Sequence, residues 1–444
     1  MNRQKNELFS ELDSKQIIAF ALITCCFALW GFTMDMTSAI ASAFSKIFRL
    51  SVTEGSLVNV ANHLGYLVMA IPAALFIQKY KFKAGVLMGL CIYAAGALLF
   101  LPSRFIGTFT PFLFAYFVMT CGSAFLETCC HPMIYCMGSE HSGTRRINLA
   151  QAFNSLGALA GMFVVRDVVL ADMSPLSKAE RLLLPETQFD VVKYHDLTVL
   201  IQPYIYICSF IILLMVVIRL QKIKMSNDSD SQKGLMQEVR HLINIKNYRE
   251  GVVAQFFYVG AQVCCWAFTI QYGVRIFIAE GMTEAQAELL AQKYNIAAIV
   301  LFAAFRFICT WLLKYVAAGR LLAVMAIAAT AFTLGVILFT DRNGLYCLIA
   351  DSACMSLMFA TIYGIALRGM GKDVKMASAG MTMAVFGGAV FTALQASIID
   401  TNVTLLGLPA TNLSFLVPMV GFAVVAFYGH RSYVRHNIVH DYNA

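Results

Sequence analysis

The chain reads as an all-α polytopic membrane protein of twelve transmembrane helices arranged as two six-helix bundles. Three observations predict this. Of its 444 residues, 59% are hydrophobic and only 13% charged, whereas a soluble domain is about a quarter charged. Twelve apolar runs are long enough to cross a bilayer, which takes about 20 residues each. A polar, charged segment at 221–250 divides six of these runs from the other six.

Residues 1–16 are polar and mixed in charge, and no signal-peptide cleavage pattern follows them, so the first apolar run is retained as a helix. The predicted spans are 17–43, 55–78, 84–103, 108–137, 148–171, 200–220, 251–279, 289–314, 320–340, 343–369, 374–400 and 412–430. Most connections are short. Residues 172–199 form a longer one, with a Ser-Pro start and a short amphipathic helix from Ser174 to Leu184. The 221–250 linker holds the polar run Ser226-Asn-Asp-Ser-Asp-Ser231, expected to be flexible. Domain boundaries follow: an N-terminal segment 1–16, bundles 17–220 and 251–430, and a tail 431–444. The two halves echo each other. Trp30-Gly-Phe-Thr33 matches Trp266-Ala-Phe-Thr269, and Met137-Gly138 matches Met370-Gly371, at offsets of 236 and 233. Parallel repeats of this kind place a ligand site near the bilayer midplane, between the halves.

The segments on the side of the termini and linker hold 22 Lys and Arg, against 10 on the other side. The positive-inside rule therefore puts both termini and the linker in the cytoplasm. This asymmetry accounts for the net charge of +8 without a nucleic-acid partner. The thirteen cysteines include three adjacent pairs (Cys25-Cys26, Cys129-Cys130, Cys264-Cys265) and no C-x-x-C. They read as small packing residues, not as a disulfide framework or a metal site. There is no phosphate-binding Gly-rich loop, nucleophile elbow or H-E-x-x-H, so neither an ATP-driven pump nor an enzyme is expected, and no cofactor or metal.

Glu127 lies inside an apolar span, in Gly122-Ser-Ala-Phe-Leu-Glu-Thr-Cys-Cys-His-Pro132. A carboxylate at that depth costs at least about 2.5 kcal/mol, so it marks function by default. Asp35 is the other acid most clearly embedded in a span. Burial favours the neutral form of a carboxyl, which suits a group that takes up a proton on one side and releases it on the other. Asn148, Gln151, Asn154 and Ser155 recur along one stripe of span five. Their paired donors and acceptors suit vicinal hydroxyls; interhelical bonding is the plainer use of an amide. His131 stands one turn from Glu127 and either relays a proton or simply hydrogen-bonds. Span two is unusually polar at Asn59, Asn62, His63 and Tyr66. Phe256, Phe257, Tyr258, Gln262 and Trp266 in span seven, with Phe359 and Tyr363 in span ten, offer aromatic faces for a pyranose or for ordinary packing. Arg306, inside span eight, either snorkels to the cytoplasmic face or acts as a buried counter-charge or gate.

Over nearly its whole length the chain resembles the fucose permease branch of the major facilitator superfamily. The likeness rests on Phe125-Leu-Glu-Thr128 with Pro132, on Asn148-Leu-Ala-Gln-Ala-Phe-Asn-Ser155, and on Val253-Ala-Gln-Phe-Phe-Tyr-Val-Gly-Ala-Gln-Val-Cys-Cys-Trp266. Arg306-Phe-Ile-Cys-Thr-Trp311, Lys83-Ala-Gly85 and Gln202-Pro-Tyr204 match as well. The resemblance implies proton-driven monosaccharide symport by alternating access, in a monomer of the inner membrane whose partners are sugar, protons and lipid. It puts the proton-linked acid on Glu127 and the sugar-binding amides on Gln151 and Asn154. Four positions depart from it. Ser38 stands where the family has a helix-one aspartate, and Asp35 where it has an asparagine, so the acid has moved about 4.5 Å along the helix. Phe359 stands where the family has a tyrosine, with Ala360 in place of proline. The expected site residues are thus Glu127 and Asp35 for the proton, and Gln151, Asn154, Asp35, Ser38, Phe359, Gln262 and Trp266 for the sugar, with Arg306 as gate or counter-charge. The alternatives are an uncoupled facilitator or exporter on the same fold, and a non-transporting sugar sensor.

Overall fold

The computed structural model describes residues 8–9, 12–50, 52–176, 178–221, 234–401, 403–405 and 407–442. Within the helices, side chains at some positions, including Asp35, Ser38 and Asn59, lie outside the described set. The run Ser226–Ser231, expected to be flexible, also lies outside it.

Among the described residues, eleven helical segments are long and apolar enough to cross a membrane. One of them, Val60–Ile106, spans 47 residues. Lys81 interrupts it with φ 70° and ψ 166°, so it is two helices and the count is twelve. We number the spanning helices α1 Ser14–Ile47, α2 52–80, α3 82–106, α4 Phe109–Tyr135, α5 Glu140–Val164 and α6 Glu186–Leu220. The second set is α7 Lys246–Ala279, α8 Glu284–Leu312, α9 Ala318–Leu338, α10 Arg342–Ala366, α11 Gly371–Asp400 and α12 Leu416–Tyr442.

Local chemistry sets the helix starts. Asp13 caps α1 by accepting from the Gln16 amide at 2.7 Å, and Gln16 Oε1 accepts from the Asp13 amide at 3.1 Å. This reciprocal box satisfies two main-chain donors that the first turn leaves open. Thr283 and Gln286 repeat the arrangement at α8. At the start of α10, Arg342 reaches Glu280, just beyond α7, at 2.6 Å. That hydrogen-bonded guanidinium holds the Glu280 carboxyl below the usual carboxylate range.

By internal contacts the chain forms two compact units. One comprises Leu12–Met137 and Phe153–Ser231, the other Gly138–Ala152 and Gln232–Ala444. Helix α5 contributes its first half to the second unit and its second half to the first.

In the first unit, helices meet backbone to backbone. A Cβ on Gly122 of α4 would sit 2.4 Å from the Tyr93 amide nitrogen of α3, and one on Gly96 of α3 would sit 2.3 Å from that of Met119. A Cβ on Gly157 of α5 would lie 2.0 Å from the Ala28 carbonyl of α1. Such contacts matter in lipid, where no hydrophobic force draws helices together and close packing must do so instead.

The segment between α5 and α6 differs from the expected long connection. A helix does form at Lys178–Leu183, but α6 begins at Glu186 and not at 200. Residues 186–199 carry too many charges to register as apolar, yet they continue the same helix. Asp196 explains how: it is fully buried and pairs with Arg181, also fully buried, at 2.5 Å. The Ser174 amide donates to the other carboxylate oxygen at 2.8 Å, and Arg181 also donates to the carbonyls of Leu176 and Ser174. Arg49, at the end of α1, binds the Arg181 carbonyl at 2.6 Å and lies 3.5 Å above the Phe189 ring. The pair thus ties α1, the short helix and α6 together.

In the second unit, Tyr272 of α7 donates to the carbonyls of Val336 and Phe339 at 3.0 and 2.7 Å. Asn412 donates to the same two carbonyls. The open C-terminal carbonyls of α9 are thereby satisfied without water, as the membrane interior requires. A helix at Leu235–Asn244 precedes α7, with Glu238 and Leu242 buried.

Replacing Gly122 with valine overpacks the α3–α4 contact. It is expected to destabilise the detergent-solubilised protein by about 1–3 kcal/mol, seen as a lower apparent melting temperature. Gly234→Ala is the control, since nothing lies within 4 Å of a Cβ there. Equal melts for the two variants would remove the packing explanation.

Candidate functional site

Glu127 sits in a stretch of α4, Met119 to Tyr135, that is buried without interruption. Its own exposure is 4%. The Tyr66 hydroxyl of α2 lies beside its carboxyl and 3.4 Å from Ser123 Oγ. No Lys or Arg pairs with Glu127 among the described residues. An acid, a phenol and a hydroxyl therefore share one buried cluster at the α2–α4 contact. His131 directs Nδ1–H to the Glu127 backbone carbonyl at 3.0 Å, and so bonds the main chain one turn back. Its ring is held edge-on to Phe27 at 4.9 Å and beside Trp30 at 5.9 Å, which fixes its orientation.

The amide stripe of α5 divides by use. Asn154 donates from Nδ2 to the Phe27 carbonyl of α1 at 3.0 Å. Its Oδ1 has no partner among the described residues and remains able to accept. Asn148 is committed to structure, donating to the Thr144 carbonyl at 2.9 Å and to Thr361 Oγ1 of α10 at 3.1 Å.

Gln151 is buried and belongs with Arg306 in the second unit. Arg306 Nη1 donates to the Gln151 backbone carbonyl at 2.6 Å and to its side-chain Oε1 at 3.0 Å. Nε donates to the Ser356 carbonyl of α10 at 2.8 Å, and the guanidinium lies 4.6 Å over the Phe302 ring. Arg306 therefore does not reach for the cytoplasmic surface. It is a buried cation at 4% exposure, held by neutral oxygens and a ring face.

Ser356 marks an interruption in α10, which runs as Arg342–Met355 and resumes as Met358–Ala366. The Tyr258 hydroxyl of α7 donates to the Met355 carbonyl at 2.9 Å. Tyr258 and Arg306 thus take up carbonyls beside the break. One turn further on, Phe359 lies 6.4 Å from the Tyr258 ring and 6.2 Å from that of Tyr363. Tyr363 in turn donates to Ser378 Oγ at 2.9 Å. Phe256 and Phe257 pack edge-on against Phe391. Among the span-seven candidates, Gln262 and Trp266 stand one turn apart. The Trp266 Nε1–H is buried and unpartnered, and the Gln262 amide makes no hydrogen bond among the described residues. Both are free to meet a polar ligand. Asp35 and Ser38 fall on helical backbone whose side chains lie outside the described set.

A buried acid inside a spanning helix escaped the sequence reading. Asp351 of α10 is fully buried, with Thr333 of α9 and Cys265 of α7 beside it. A lone carboxyl in the run Leu345-Tyr-Cys-Leu-Ile-Ala-Asp-Ser-Ala-Cys354 was the available signal.

Fold and polar interior define a membrane transporter of two-bundle type, and the comparisons agree. The pattern of the Major Facilitator Superfamily matches residues 21–396, and the chain belongs to that superfamily. Within it the chain belongs to the fucose permease branch. It is 41% identical over 428 residues to the L-fucose-proton symporter of Haemophilus influenzae, covering 95% of this chain and 98% of that protein. It is 32% identical to the Escherichia coli L-fucose-proton symporter, with 92% of each covered. A Brucella abortus glucose/galactose transporter is 27% identical over 432 residues, 96% of this chain and 97% of the other. The crystal structure of FucP, a superfamily transporter in the outward conformation, superposes with a TM-score of 0.85 at 30% identity, covering 94% of this chain and 99% of that one. The protein is a multi-pass membrane transporter and not an enzyme.

Arg306→Lys retains the charge but loses the planar fork that serves Gln151 and Ser356 together. Loss of charged hydrogen bonds of this kind is expected to cost about 1.5–3 kcal/mol. A double-mutant cycle with Gln151→Leu reads the pair directly in thermal melts. Coupling of at least about 0.5 kcal/mol is expected; strict additivity would mean that the two side chains do not support each other.

Proposed function

We propose that this protein imports a monosaccharide together with a proton, by alternating access in the inner membrane. The observation that carries the reading is Glu127, a carboxyl buried with Tyr66 and Ser123 and lacking a Lys or Arg partner among the described residues. A permanently ionised acid in that setting is costly. A reversibly protonated one is tolerable and useful. The names of the relatives, which specify L-fucose with a proton or glucose and galactose, point to the same ligand class.

Sugar hydroxyls engage Gln151 and Asn154, with Asp35 and Ser38 on α1. Gln262 and Trp266 supply the unpartnered donors on α7, and Phe359 a ring face. Phe359 carries no hydroxyl, so one polar contact of the related symporters is replaced by an apolar one. The substrate is accordingly a fucose-like deoxyhexose or a hexose. Arg306 acts as the movable element of the site. Its hold on Gln151 is a contact that bound sugar can compete for, which gives the ligand a differential affinity for two states of the transporter. Protonated Glu127 removes the charge that opposes passage through the occluded state. The division into 17–220 and 251–430 bundles, cytoplasmic termini and a monomeric working unit belong to the same proposal.

Proteoliposomes test it. Each proton moved with a sugar supports about tenfold accumulation per unit of pH gradient, because a pH unit is worth about 1.4 kcal/mol. Glu127→Gln is expected to abolish accumulation while leaving sugar counterflow. A Glu127→Gln protein that still concentrates sugar on a pH gradient would refute the assignment. A panel of monosaccharides in the same vesicles, scored by proton uptake, identifies the substrate.

A further inference from the structure

Asp351 has no part in the mechanism above, yet it is the most deeply placed acid of the second unit. It lies nine residues into α10, about 14 Å along the helix, near the middle of a hydrocarbon layer about 30 Å thick. Its exposure is 0%. Oδ2 accepts from the Thr333 hydroxyl at 3.0 Å and faces the Cys265 thiol at 3.5 Å. Oδ1 is buried and has no hydrogen-bond partner among the described residues.

The titratable groups facing it are Cys265 and Tyr258 from α7, with Cys347 and Cys354 on its own helix. Helix α9 brings only the Thr333 hydroxyl. Helix α8 brings Arg306 to Ser356, five residues further along, where it is engaged by Ser356 and Gln151. Among the described residues no cation touches Asp351. A carboxylate with one hydroxyl donor and one bare oxygen is not stable in such surroundings, so in this state Asp351 is a neutral acid that holds a proton.

Its position gives that proton a way to respond to transport. The break in α10 begins five residues on, at Ser356, and is held by Tyr258 and Arg306. Arg306 also holds Gln151, so events at the sugar site reach the break through a single side chain. Movement there shifts the α10 turn that carries Asp351 relative to Thr333 and Cys265, and exposes Oδ1.

We infer that Asp351 is a second proton-carrying carboxyl, which binds its proton in this state and releases it to water when α10 flexes at Ser356. The only bond made and broken is the carboxyl O–H, and the proton comes from and returns to solvent. The inference rests on the proton-coupled reading above.

Asp351→Asn keeps the neutral shape but cannot ionise. Counterflow of radiolabelled sugar reports whether the variant works, and a pH dye reports protons moved per sugar on net uptake. Retained counterflow with protons per sugar lowered about twofold is the expected result. Retained counterflow with unchanged protons per sugar overturns the inference and makes Asp351 a structural acid. If the unaltered protein itself moves no protons with sugar, the symport reading fails instead. Should the variant lose counterflow, infrared difference spectra of the unaltered protein decide. Thr333→Val, which removes the hydrogen bond to Oδ2, identifies the Asp351 carbonyl band. A band that changes when L-fucose or another transported sugar is added supports proton exchange; one that sugar leaves unmoved overturns it.

Discussion

The cost of a charge without water governs this molecule. In the bilayer interior an ionised group must find a partner or give up its charge, and the buried ionisable residues solve that problem in three ways. Arg181 and Asp196 pair with each other and with main-chain groups. Arg306 cannot lose its proton and instead gathers three oxygens and a ring face. Glu127 and Asp351 lie beside hydroxyl or thiol groups, and neither pairs with a Lys or Arg among the described residues. The first two solutions fix structure. The third leaves the protonation state free to follow the surroundings, which is what a proton-coupled machine needs.

Close packing makes those arrangements possible. Gly96 with Gly122, and Gly157 against Ala28, bring backbones together with no side chain between them. At Gly157, helices α1 and α5 meet backbone to backbone. They also position the Phe27 carbonyl to accept from Asn154, so one helix contact both orients a candidate ligand residue and seals its surroundings. The remaining oxygen of Asn154 is then aimed by a bond already made, which lowers the entropy lost when a hydroxyl binds.

The fold was legible in the sequence because lipid imposes a simple rule on it. Apolar runs of spanning length can be read without knowing what they pack against, and the twelve spans emerge accordingly. The start of α6 was not legible. Residues 186–199 look like a loop until Asp196 is seen to be neutralised by Arg181, fifteen residues earlier on another element. Partners had the same limitation. Glu127, Gln151 and Arg306 could be singled out as costly or polar residues inside spans, but the bond from Arg306 to Gln151 joins positions 155 residues apart. Nor could the sequence divide the amides of α5 by use. Asn148, Gln151 and Asn154 share a stripe and a chemistry, yet one binds Thr361, one binds Arg306 and one binds the α1 backbone.

The break in α10 draws these threads together. A helix interrupted in hydrocarbon must have its freed carbonyls satisfied by neighbours, and here the donors are Tyr258 and Arg306. Neither is a passive cap. Tyr258 belongs to the face of α7 that also carries Gln262 and Trp266, while Arg306 reaches the α5 amide stripe. A ligand that draws on either face therefore changes how well the break is capped. The energy involved is modest, since each charged hydrogen bond is worth about 1.5–3 kcal/mol. That is the scale on which binding couples to conformation in proteins generally. A straight α10 would make no such demand on its neighbours.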